Sequence, residues 1–76
     1  MKYSARQRAV AAALRKAREA AGMSQRQLSE RLQQPANWIQ RIESLERRVD
    51  VAEFIAIAKA VGADPAELFR EVLGPR

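Results

Sequence analysis

Residues 24–44, SQRQLSERLQQPANWIQRIES, carry the signals for two short helices joined by a tight turn. Ser24 can accept hydrogen bonds from the first helical turn while Gln27 reaches back to it, which is the capping-box pattern. The first helix is therefore predicted to begin at Gln25. An apolar stripe at four-residue spacing, with one small residue beside it, predicts that a second helix crosses closely. The stripe consists of Leu28 and Leu32, and the small residue is Ser29.

The second helix of this stretch is predicted over residues 35–44, because Pro35 fits the first position of a helix and cannot lie inside the preceding one. At about 100° per residue, Ile39 and Ile42 point to one side of it. The other side carries only hydrogen-bonding groups, namely Asn37, Gln40, Arg41 and Ser44. Amide side chains can read adenine, arginine can read guanine, and Ala36 can meet a thymine methyl group. The pattern predicts a helix that reads base edges.

With these features the chain resembles the phage-repressor, Cro/C1-type (XRE) helix-turn-helix family. The residues that carry the resemblance are Gln25, Leu28, Ser29, Ile39, Ile42 and Glu43, and it extends over roughly residues 10–73. It implies an all-α, compact five-helix lambda-repressor-like DNA-binding domain, in which helices 2 and 3 form the helix-turn-helix. A single domain over residues 1–76 is expected, with its core at about 5–73 and the helix-turn-helix at about 24–44.

Start and stop signals predict the three other helices. They are expected at about residues 5–21, 51–61 and 65–73, and Gly22 and Gly62 end the first and the fourth. Asp50 is a plausible N-cap for the fourth helix, and Asp64 with Pro65 marks the start of the fifth. The apolar side of the fourth helix is predicted to comprise Val51, Phe54, Ile55, Ala58 and Val61.

Composition excludes several classes of function. The chain of 76 residues contains no Cys and no His, so disulfides, thiolate or imidazole metal sites and the commonest catalytic bases are ruled out. No enzyme activity, metal or cofactor is predicted. No apolar run is long enough to span a bilayer, and the N-terminus lacks the apolar segment of a signal peptide. A cytoplasmic, nucleoid-associated protein is expected.

The net charge of +5 is unevenly distributed. Residues 1–48 contain eleven basic and four acidic side chains, a net charge of +7, whereas residues 49–76 carry a net charge of −2. The positive charge therefore accompanies the predicted helix-turn-helix, where a phosphate backbone would lie. A solvated basic surface would explain the charge alone equally well, but the motif favours nucleic acid.

The resemblance implies positions for phosphate contacts as well. Gln25 and Arg26 at the head of the first motif helix are expected to position the protein on the DNA backbone. Arg47 and Arg48, just beyond the recognition helix, are expected to contact a phosphate or an adjacent minor groove. Trp38 has two interpretations. It packs at the edge of the core, or its indole N–H is donated to a phosphate.

Two structural roles follow from the same comparison. The family places Arg at the position of Arg18 and Glu at the position of Glu43, which implies a partly buried ion pair between the first helix and the recognition helix. Terminal helices of the family form two-fold contacts. A dimer interface is therefore expected in the fifth helix, although part of its apolar surface could instead cover the core. The residues concerned are Leu68, Phe69, Val72 and Leu73.

The two loops around the recognition helix depart from the family pattern at four positions. The family usually has Val at the position of Gln34, and many members have Pro at the position of Val49. Gly is usual at the position of Gln33, where the backbone tends to positive φ, and many members have Gly at the position of Leu45. A Gln in that conformation costs about 1 kcal/mol relative to Gly. Either the strain at Gln33 is tolerated, or the preceding helix runs slightly longer.

The prediction that follows is a sequence-specific regulator of transcription, expected to be a repressor, that binds a palindromic operator in duplex DNA as a homodimer. The alternative is a protein-interaction module or antitoxin-like partner of another protein, such as a toxin or polymerase. The polar outer side of residues 37–44 argues against the alternative, because protein interfaces place aromatic or aliphatic anchors at their centre.

Overall fold

The computed structural model describes residues 4–74, which form five α-helices and no strand. In chain order they are α1 (Ala5–Ala20), α2 (Gln25–Arg31), α3 (Trp38–Glu43), α4 (Val51–Ala60) and α5 (Pro65–Leu73). The predicted all-α, five-helix class is confirmed. The boundaries of α1 and α4 fall one residue short of the predicted ends, at the residue before the C-cap in each case.

Four of the helices begin at side-chain caps encoded within a few residues of their first turn. Ser4, Ser24 and Asp50 each accept from the backbone N–H three residues ahead, and each forms a reciprocal capping box. Asp64 caps α5, with Pro65 in its first turn. These starts depend on local hydrogen bonds alone, so they lie where the sequence predicts them.

The recognition helix α3 begins three residues later than predicted, at Trp38. In a helix starting at Pro35, the backbone N–H of Ile39 would donate to the Pro35 carbonyl. It donates instead to the hydroxyl of Ser29 in α2, at 3.0 Å. Asn37 has φ −98° and ψ 11° and makes no side-chain cap. Residues 35–37 therefore form part of the turn, because the cap of α3 comes from another helix.

The two loop positions where the family commonly has Gly both adopt the left-handed conformation. Gln33 has φ 57° after α2, and Leu45 has φ 67° after α3. The N–H groups of Gln33 and Gln34 donate to the carbonyls of Glu30 and Ser29 at 2.9 and 3.0 Å, which is a Schellman ending. The strain at Gln33 is thus tolerated, and α2 is not extended.

We expect Gln33→Gly to raise the free energy of unfolding by about 0.5–1 kcal/mol, because glycine relieves the left-handed strain but loses more entropy on folding. Thermal or urea unfolding measures the change. Gln34→Gly is the matched control, since Gln34 does not have positive φ. It should lower stability. Equal effects of the two substitutions would contradict the strain at Gln33.

The core lies where α1 meets α3, α4 and α5, and α2 closes it from the side of α3 and α4. The predicted apolar side of α4 needs correction. Phe54 and Ala58 are buried as predicted, and Ile57 is buried with them. Val51 is 76% exposed and Ile55 is 38% exposed, contrary to the prediction. Because α4 packs against α1, α2 and α5 together, its buried face is rotated away from the predicted stripe. Val51 and Ile55 are left at the surface.

Candidate nucleic-acid interface

The two motif helices are locked together by Ser29, which is fully buried. Its hydroxyl donates to the carbonyl of Gln25 at 2.9 Å and accepts from the N–H of Ile39 at 3.0 Å. One small side chain therefore allows α2 and α3 to cross closely and also caps α3. The cap could not be recognised from the sequence, because its donor lies ten residues from its acceptor.

Replacing Ser29 by Ala is expected to lower the free energy of unfolding by about 2 kcal/mol, because the buried N–H of Ile39 loses its acceptor. Chemical denaturation of the variant measures this loss. Ser44→Ala is the control, since its hydroxyl is exposed and bonds only near the end of α3. A loss for Ser29→Ala no greater than that of the control would show that the cap contributes little.

Four of the five predicted base-reading residues present their side chains to solvent at or just before α3. They are Ala36, Asn37, Gln40 and Arg41. Asn37 occupies the N-cap position, but its amide is not used to cap the helix. Within residues 4–74, the side chains of Gln40 and Arg41 form no hydrogen bond or ion pair. The donors and acceptors of this surface are therefore available to a ligand.

Ser44, the fifth predicted base-reading residue, is exposed but engaged. Its hydroxyl donates to a carboxylate oxygen of Glu46 at 2.8 Å and lies 3.3 Å from the carbonyl of Arg41. Glu46 was not among the predicted site residues. The contact places a negative charge beside the C-terminal end of the reading surface, which the side-chain pattern within the helix does not indicate.

The residues predicted to contact phosphate differ in how strongly they are bonded to other parts of the protein. Gln25 is half-buried, and its amide donates to Glu43 at 2.8 Å. Arg26 is exposed and, among the described residues, pairs only with Glu30, one turn away on the surface of α2. Such a pair exchanges at little cost. Arg48 is exposed in the loop after α3.

Trp38 and Arg47 form a compact unit with Glu53. Trp38 is 7% exposed and belongs to the hydrophobic core. The guanidinium of Arg47 lies 4.9 Å from the centroid of the Trp38 ring and bonds both carboxylate oxygens of Glu53, at 2.8 and 3.0 Å. The hydrogen bond from Arg47 lowers the pKa of the Glu53 carboxyl below its usual range. Arg47 therefore faces the protein rather than solvent.

The structure brings Arg18 and Glu43 together in a bidentate ion pair, with N–O distances of 2.7 and 3.0 Å. Their side chains are only 10% and 5% exposed. A third donor, Nη1 of Arg18, reaches the carbonyl of Met23 at 2.7 Å. The hydrogen bonds to Glu43 raise the pKa of Arg18. Together with Gln25, the pair ties α1, α2 and α3 to one carboxylate.

Two of the four predicted dimer-interface residues cannot serve that role. Leu68 and Val72 are 4% and 5% exposed and pack in the core of their own chain, because α5 must cover α1 and α4. Phe69 and Leu73, on the outer side of α5, are 53% and 52% exposed. The fifth helix therefore covers the core with one side and leaves an apolar edge at the surface on the other.

An outward helix with unengaged amide and guanidinium groups, held across a tight turn by a second helix, defines the class of helix-turn-helix DNA-binding proteins. Residues 9–70 match the family model described as a helix-turn-helix domain. The chain is also similar to a solved structure, an XRE-family like protein from Pseudomonas syringae pv. tomato str. DC3000. The two share 37% identity with a TM-score of 0.85, over 93% of this chain and 89% of the other.

The chain therefore belongs to the XRE-type helix-turn-helix family, and it is a DNA-binding regulator whose partner is DNA. Proteins of this fold are typically not enzymes. No curated protein matches the chain. Residues 4–74 include no cluster of acidic side chains that could hold a metal ion. In the same residues, no helix is long and apolar enough to cross a membrane.

Proposed function

We propose that the protein represses transcription by binding a specific palindromic operator as a homodimer. The observation that carries this proposal is the exposed, unengaged side-chain surface of Asn37, Gln40 and Arg41 at α3. Amide and guanidinium groups that have no side-chain partner within residues 4–74 can bind a ligand, and base edges are the ligand that fits them. Ala36 and Ser44 flank this surface. The working protein would sit on nucleoid DNA in the cytoplasm.

The proposed backbone contacts surround the reading surface. Arg26 can leave its surface pair with Glu30 for a phosphate, and Arg48 lies beyond the other end of α3. Gln25 keeps one amide hydrogen after donating to Glu43. The excess positive charge of residues 1–48 supports this placement, because phosphate contacts supply most of the sequence-independent affinity.

The proposed dimer uses an apolar patch formed by Val51, Ile55, Phe69 and Leu73. Val51 and Phe69 line one surface hollow of about 130 Å³, so the exposed residues of α4 and α5 are continuous. A second copy of the chain would cover them. Two-fold symmetry then requires half-sites about one helical turn of DNA apart. The same patch is the feature that would fit another protein, as an antitoxin-like module would require.

Selection of random duplex DNA by the purified protein at about 150 mM salt, followed by sequencing, tests the proposal. Recovery of a palindromic site is the expected result, and such a site overlapping a promoter would make the protein a repressor. Recovery of DNA without a shared sequence, bound only by a salt-sensitive interaction, would reject sequence-specific regulation and favour the protein-interaction module.

The dimer is tested by sedimentation of Phe69→Asp, which places a charge at the centre of the apolar patch. We expect a dimeric wild type, a monomeric variant and loss of binding to the full palindrome. Arg70→Ala is the control, because Arg70 lies on the same helix and pairs only with Glu67 at the surface. If the wild type sediments as a monomer both in free solution and on the operator, the proposed dimer is wrong.

A further inference from the structure

Three of the five N–H donors of the Arg47 guanidinium are bonded inside the protein. Nη1 donates to Glu53 at 3.0 Å and to the carbonyl of Arg48 at 2.8 Å, while Nη2 donates to the other Glu53 oxygen at 2.8 Å. The side chains of Arg47 and Glu53 are 31% and 25% exposed. A bidentate pair with planar geometry is the strongest arrangement that arginine makes with a carboxylate. A phosphate could bind the edge of the guanidinium that faces Glu53 only by breaking this pair.

These contacts join the recognition helix α3 to the next helix, α4. Trp38 is the first residue of α3, Glu53 lies in the first turn of α4, and Arg47 belongs to the loop between the two helices. The main packing of α3 is against α1 and α2. The Arg47 guanidinium, stacked on Trp38 and paired with Glu53, therefore connects the reading end of α3 directly to the start of α4.

We propose that Arg47 is a positioning residue, which holds the recognition helix against α4 through Trp38 and Glu53, and not a phosphate ligand. This inference rests on the proposed function, because it concerns how the reading surface is oriented. It also links that surface to the proposed dimer, since α4 carries Val51 and Ile55 of the apolar patch. The contacts among Trp38, Arg47 and Glu53, here called the clasp, fix the angle between the reading surface and the apolar patch.

Glu53→Gln distinguishes a positioning role of Arg47 from a phosphate-binding role, because the two roles predict opposite changes in affinity for DNA. Glutamine at this position still accepts from the N–H of Asp50, which Glu53 bonds at 3.1 Å, so the cap of α4 is retained. If Arg47 positions α3, losing its charged partner weakens sequence-specific binding. If Arg47 binds phosphate in competition with Glu53, the same substitution releases it and strengthens binding to every duplex.

The experiment compares the wild type, Glu53→Gln and Arg47→Lys on the selected operator and on a scrambled duplex over a range of salt concentrations. For both variants we expect affinity for the operator to fall about tenfold, or about 1.4 kcal/mol, with little change on the scrambled duplex and an unchanged salt slope. Lysine keeps the charge but cannot form the bidentate pair. All proteins are measured well below their unfolding temperatures.

Two results would overturn the proposal. One is stronger binding of Glu53→Gln to both duplexes, with a salt slope steeper by about one phosphate contact. The other is that both variants distinguish the operator from the scrambled duplex as well as the wild type does.

A wild type that does not distinguish the two duplexes would reject the proposed function instead. In that case the emission of Trp38, the only tryptophan, still tests the clasp in the free protein: a change in both variants is expected, and unchanged emission would overturn it.

Discussion

Glu43→Ala is expected to lower the free energy of unfolding by about 3 kcal/mol, because it leaves the guanidinium of Arg18 without its partner at a site that is 10% exposed. The value lies at the lower end for buried pairs, since Arg18 keeps its bond to the Met23 carbonyl. The amide of Gln25 also loses its acceptor. Urea unfolding of the variant measures the loss.

The Arg18→Ala variant and the double variant complete a thermodynamic cycle. The double variant should be destabilised by clearly less than the sum of the two single losses, because removing both partners leaves no unpaired charge. Glu30→Ala is the control, as Glu30 pairs with Arg26 on the exposed surface and should contribute little. Additive losses of less than about 1 kcal/mol would mean that Arg18 and Glu43 are not energetically coupled.

Arg41→Ala is expected to relax base preference at one position of each half-site, at a cost of up to about 3 kcal/mol on the preferred operator. The guanidinium of Arg41 has no partner within residues 4–74, so its loss should leave the fold intact. Affinities for a library of operators with single base changes measure the effect. In the variant, only base changes at the operator position read by Arg41 should cease to affect affinity.

Arg48→Ala provides the comparison, because a backbone contact carries no sequence information. It should weaken binding to all members of the library alike and reduce the salt slope by about 0.9, the value for one phosphate. A uniform loss across the library from both variants would remove Arg41 from base reading. A changed base preference from Arg48→Ala would instead move Arg48 to the reading surface.

The resemblance anticipated interactions that no helical pattern contains. Arg18 and Glu43 are 25 residues apart, and only the comparison with the family suggested that they meet. The same comparison marked Gln33 as a position of left-handed backbone and Leu45 as a position where Gly is common, and both residues adopt positive φ without glycine. The comparison with the family was less informative for Arg47. A position in a loop beside the recognition helix does not reveal that Glu53 and Trp38 already hold the side chain.

The predicted residues of α5 show a second kind of limit. Spacing identified the apolar residues Leu68, Phe69, Val72 and Leu73, but it could not divide them between the core and the surface. That division depends on how α5 rotates against α1 and α4. The same rotation problem affects α4, where Ile57 is buried and Val51 is exposed, contrary to the predicted stripe.

The sequence by itself determined the helical class, the motif and the starts of α1, α2, α4 and α5, because caps, prolines and apolar spacing act within one or two turns. Only the tertiary structure decided where α3 begins, which apolar residues face the core and which arginines pair with carboxylates of other helices. Each of these depends on contacts between different helices and loops of the fold. The hydroxyl of Ser29 caps α3, and Glu53 pairs with Arg47, through contacts that form only once the helices have packed.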